Sequence, residues 1–138
     1  MDPDQPLPVK TFLLTAFLLA IPGWGGLIAL LIYTLPTVGP RWLFFFLAVL
    51  ALTGTILPAA AFLNRRFPTT PPASALAILR EALWFGIYFP TLAWLQIGRV
   101  LSPALALLLA LGFGLIEFLL RWRERSLWKP ARETSIEP

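Results

Sequence analysis

The chain contains neither cysteine nor histidine, has a single methionine, and devotes only 13% of its 138 residues to charge. Each shortage removes a class of chemistry. Without cysteine there is no disulfide, no thiolate nucleophile and no thiolate metal site. Without histidine there is no imidazole base and no imidazole ligand for zinc or haem. Acyl transfer wants a base beside a hydroxyl, and the commonest such base is missing. Neither a G-x-x-x-x-G-K-[ST] nor a G-x-G-x-x-G phosphate loop occurs. No catalytic residue, cofactor or metal ion is therefore expected, and the chain is not read as an enzyme.

The shortage of charge says more about the medium than about chemistry. Soluble domains carry about 25% charged residues. Here hydrophobic residues reach 58% and mean hydropathy is +0.78. A small soluble fold cannot hide so much apolar surface, and large apolar patches are rare on monomers. Lipid is the solvent that removes the difficulty. The net charge of +4 and pI near 10.4 would suit nucleic acid, but the basic residues sit between and after apolar runs, where membrane topology accounts for them. No nucleic-acid partner is expected.

Four apolar runs, at residues 11–35, 42–63, 76–98 and 103–121, are each long enough to cross a hydrocarbon layer of about 30 Å as a helix. They predict an all-α, integral membrane four-helix bundle with short loops and both termini on one side. Residues 1–10, rich in proline and aspartate, read as an extended tail. Residues 11–121 form the membrane domain, and 122–138 a basic tail whose first half continues the last helix, with Trp122 and Trp128 at headgroup level. This threading puts Lys10, Arg65, Arg66, Arg80, Arg121, Arg123, Arg125, Lys129 and Arg132 on the side of the termini, and Arg41 and Arg99 opposite. Basic residues gather on the cytoplasmic face, so both termini are expected there, in a cytoplasmic-type cell membrane.

Three features inside the spans stand out. The first run is interrupted by Ile21-Pro22-Gly23-Trp24-Gly25-Gly26. Pro22 cannot donate to the Leu18 carbonyl, so Pro22, Gly23, Gly25 and Gly26 mark a helix break. Such a break builds a solute site in some membrane proteins. The plainer reading, which carries more weight here, is a proline kink or close approach of a neighbouring helix. In the second run Thr53-Gly54-Thr55 and Pro58 line a pore or, more often, mark helix contact. Small residues then recur every fourth position, at Ala82 and Gly86 (with Pro90) and at Ser102, Ala106, Ala110 and Gly114. At that spacing two helix backbones come close in lipid. Thr70 before Pro71-Pro72 reads as the cap of the third helix, and Ser102-Pro103 as that of the fourth.

Charge within the last two spans is concentrated at one depth. Glu117 precedes Arg121 by one turn, the favourable order on a helix. Folding back on the short connection at residues 99–102 returns both to the level of Arg80 and Glu81. An interfacial latch of Arg80, Glu81, Glu117 and Arg121 is expected, with ion or proton coupling at Glu117 the alternative. Taken together the residues suit an accessory or structural subunit, or a homo-oligomer, in contact with the bilayer and packing through the small-residue faces of the third and fourth spans. The runner-up is a small transporter or channel using the broken first span and Glu117.

Overall fold

Each apolar run becomes a helix because lipid offers backbone groups no hydrogen-bond partners, so every amide must bond within its own segment. In the computed structural model, which describes residues 7–35 and 37–128, these are α1 (Lys10–Tyr33), α2 (Val38–Arg66), α3 (Ala75–Ile97) and α4 (Pro103–Leu127). Lys129, Arg132 and most of the proline-rich tail lie outside the described residues. All four helices are long and apolar enough to span a membrane, and no strand occurs among the described residues. The protein is an all-α, four-helix membrane protein.

The expected interruption of the first span is absent. α1 runs unbroken from Lys10 to Tyr33 through Pro22. One missing hydrogen bond is tolerable in a helix that a neighbour supports, and here the glycines bring the neighbour close. A side chain on Gly23 would collide with the backbone of Ala51, and one on Gly26 would meet Leu47. Gly25 points into open space. The start of the third helix also differs from expectation. Its cap is Ser74, whose hydroxyl accepts from the Ala77 amide at 3.2 Å, rather than Thr70. A residue preceding proline is kept out of helical conformation, which disfavours Pro71 in a first turn. The Thr69 hydroxyl instead donates to the Pro71 carbonyl at 3.1 Å and closes a turn. Ser102 caps α4 as expected, accepting from the Leu105 amide at 3.2 Å with Pro103 in the first turn.

The helices pack serially. α1 lies on α2, α2 on α3, and α3 touches α4 sparsely; α4 meets neither α1 nor α2 among the described residues. α2 is the centre of the rigid part. On one side Gly54 lies against the α1 backbone at Ala16 and Ala20; on the other Thr53 is pressed against Gly86 of α3. The Thr53 hydroxyl is buried there without a hydrogen-bond partner among the described residues. The triplet Thr53-Gly54-Thr55 is thus a contact point between helices: Thr55 Oγ1 donates to the Ala51 carbonyl at 2.7 Å and accepts from Trp24 Nε1 at 3.0 Å. The core is built mostly of alanine, with Phe12, Ala16, Leu57, Ala60, Ala61, Ile78 and Ala82 in one cluster and Leu27, Ala48 and Ala51 in another. That composition suits lipid, where shape and close approach rather than water exclusion drive association.

Candidate functional site

The seam between α3 and α4 differs in kind from the rest. None of the α4 residues is buried, and what joins the two helices is polar at one end and aromatic in the middle. At the end near the termini, Arg80 of α3 reaches across to two carboxylates about two turns apart on α4. Its Nε donates to Glu117 Oε2 at 3.0 Å and its Nη1 to Glu124 Oε1 at 2.7 Å. Arg121 Nε donates to Glu117 Oε1 at 2.8 Å within α4, and its Nη2 reaches Glu81 Oε2 of α3 at 3.2 Å. All four residues expected to form the latch are therefore linked in one chain of ion pairs, Arg80–Glu117–Arg121–Glu81.

Three further residues join the cluster. Glu124 lies seven residues after Glu117, on the same face of α4. The Trp84 indole, one turn beyond Arg80, donates to Glu117 Oε2 at 3.0 Å. Asn64, one residue past the second apolar run, is inside α2 and donates from Nδ2 to Glu81 Oε2 at 2.9 Å. Its role brings α2 into a network that otherwise ties only α3 to α4. An arginine fork is built to hold two acceptors, and a Glu spaced at i+7 from Glu117 was the readable sign of the second one.

Glu117 is the least exposed of the ion-paired carboxylates, its side chain retaining 17% of its accessible surface. It accepts from both guanidinium groups and from the indole. With two guanidinium groups against three carboxylates, every charge in the cluster has an opposite neighbour. Such saturation answers the cost of placing ions near hydrocarbon and suits a structural tie.

Deeper in the membrane the seam is held by rings. Trp84 and Tyr88 flank Phe113, with centroids 5.2 and 6.2 Å away, and the Tyr88 hydroxyl donates to the Ala106 carbonyl at 3.1 Å. Between these contacts remains a cleft of about 260 Å³ lined by Trp84, Phe85, Tyr88, Ala110, Phe113 and Gly114, with Glu81 and Glu117 at its rim. It exists because Ala110 supplies only a methyl group and Gly114 no side chain to fill it, and nothing lies within 4 Å of where a Gly114 Cβ would stand.

The small-residue faces thus have different fates. Ala82, Gly86 and Pro90 are buried, with Gly86 against Thr53 of α2, so this face is occupied within the chain and is not free for another molecule. Ser102, Ala110 and Gly114 are exposed and Ala106 half-exposed; within the chain they make no close helix contact. The aromatic side chains of α3 stand between the two backbones and hold them apart.

The fold and this seam define a polytopic α-helical membrane protein with an ion-paired latch. No protein-family model, curated protein or solved structure matches this chain.

Proposed function

We propose that the protein is a non-catalytic accessory or structural membrane subunit, in which α1–α3 form a compact unit and α4 is held out as a docking helix. The observation that supports this is α4 itself: 25 residues, apolar enough to span, with no residue buried. Its outer leucines, including Leu108, Leu111 and Leu115, are 67, 72 and 59% exposed. Packing, not hydrophobicity, drives helix association in lipid, so a helix left this bare has most of its packing surface still to use. Its partner is a second copy of the chain or a helix of a larger membrane complex. The transport reading leaned on a broken first span; with α1 continuous and Gly23, Gly54 and Gly86 in backbone-close contacts, that support is lost.

Because the chain has no cysteine of its own, the test is clean. Leu111→Cys protein in its native membrane, treated with a membrane-permeant bismaleimide, is expected to give a discrete cross-linked band, either a dimer or a heteromeric adduct. A matching substitution on α1, Leu14→Cys, is expected to give less. Equal or absent cross-linking at both positions, together with a monomer in mild detergent that carries no stoichiometric companion, overturns the docking role.

A further inference from the structure

We infer that the cleft between α3 and α4 is a binding slot for a single acyl chain of a bilayer phospholipid, entering sideways from the leaflet that borders the latch. Four observations narrow the occupant. The walls are apolar between the rim and Tyr88, and the rim carboxylates already have their ion-pair partners in Arg80 and Arg121. Water in a cavity needs two to four polar partners, and this cleft offers almost none. A helix of another protein is too thick. α3 and α4 touch directly at Arg80–Glu117 and again at Tyr88–Ala106. Those bridges, eight residues apart on α3, interrupt the cleft about 12 Å apart along the axis and leave no room beside a helix about 10–12 Å thick that must run about 30 Å.

An aliphatic chain has the right cross-section, and it is the material the open side of the cleft faces. Collapse is not available as an alternative way to fill the space, since the ion pairs and the Tyr88 hydroxyl brace the two helices at either end while Trp84 and Phe113 prop them between. The ionic rim sits where the chain of a lipid gives way to its headgroup, so the slot accepts an amphipathic molecule in one orientation only. Gly114 and Ala110 are then specificity-determining positions: they keep the slot empty of protein.

The measurement is tryptophan quenching in phosphatidylcholine vesicles whose acyl chains are brominated near their midpoint. Comparing each protein with its Trp84→Phe counterpart isolates the contribution of Trp84. In the native chain Trp84 is expected to be quenched. In Gly114→Leu, which grows a side chain into the slot, its quenching is expected to fall because the isobutyl group displaces the lipid chain. Ala110→Leu is a second plug on the same wall. Gly112→Leu, two residues away where a Cβ also meets nothing within 4 Å, is the control and is expected to leave Trp84 quenching as it was. Unquenched Trp84 in the native chain overturns the inference, whether a side chain from a second copy or a closed seam is the reason. So does equal quenching in Gly114→Leu, Ala110→Leu and Gly112→Leu. None of these outcomes depends on whether α4 docks a partner through its leucine face.

Discussion

At the scale of single residues, the space available for one methyl group separates the glycines into classes. A Cβ at Gly54 would stand 2.5 Å from the Ala20 nitrogen and 2.8 Å from the Ala16 oxygen. Both are backbone atoms inside a helix and cannot yield. At Gly26 the obstacle is the end of the Leu47 side chain, 2.6 Å away, which has other rotamers. At Gly112 there is no obstacle. Overpacking costs about 1–3 kcal/mol where relaxation is blocked. Gly54→Ala is therefore expected to lower thermal stability in detergent by about 2–3 kcal/mol and Gly26→Ala by less. Gly112→Ala is expected to be neutral or slightly stabilising, because alanine is the better helix former by about 1 kcal/mol. Equal unfolding temperatures for Gly54→Ala and Gly112→Ala would show that α1 and α2 are not held by close backbone approach.

At the scale of elements, α4 is attached through side chains that are individually replaceable and collectively necessary. Glu117→Gln leaves Arg80 with Glu124 and Arg121 with Glu81, so its cost is expected to be about 1–2 kcal/mol, the worth of charge-assisted hydrogen bonds. Glu124→Gln alone is expected to cost less, since that carboxylate is about half exposed and exposed pairs contribute little. Together they leave the Arg80 guanidinium without either carboxylate near the hydrocarbon. Losing all partners of a poorly solvated ion costs about 3–5 kcal/mol. The double variant is therefore expected to lose more than the sum of the single ones. Spin-label distances between α3 and α4 are expected to broaden in the double variant alone. Strict additivity, with narrow distances throughout, would mean that the rings at Trp84, Tyr88 and Phe113 hold α4 by themselves.

The same scale shows what local sequence was able to reveal about the candidate site. Glu117–Arg121 is a one-turn pair, and Arg80 and Glu81 return to its depth by simple counting of 1.5 Å per residue along two arms. Asn64 was not legible, because its contact depends on which face of α2 meets α3. Glu124 had a readable spacing from Glu117 but lies beyond the apolar run, so its place on the same face counts only because the helix continues for six residues past Arg121. Trp84 was visible as an aromatic beside the small-residue face, but its indole donor meets Glu117 only when α4 folds back along α3.

For the whole molecule, orientation follows from where the basic residues fall. With the helices threaded as described, Arg65, Arg66, Arg80, Arg121, Arg123 and Arg125 share one membrane face and Arg41 and Arg99 the other. We expect the first face to be cytoplasmic. A membrane-impermeant maleimide applied to intact cells is expected to label Gln96→Cys and to spare Thr70→Cys, with the pattern reversed in inverted vesicles. Labelling of Thr70→Cys from outside would reverse the orientation.

What the amino-acid sequence determined by itself was the medium, the number of crossings and the depth of the charges. Those follow from properties summed along the chain: hydropathy, run length and the axial rise of a helix. Which faces meet was decided only in the tertiary structure. The stripes at Ala82–Gly86 and at Ala106–Gly114 are alike on paper, yet one is packed against Thr53 and the other borders a cleft. The deciding factor is the bulk of the rings opposite, since Trp84, Tyr88 and Phe113 keep α3 and α4 apart while a bare Gly86 lets α2 and α3 touch. The interruption at Pro22 also depended on context. A proline removes one donor locally, and whether the helix stops or continues past it depends on the helix alongside.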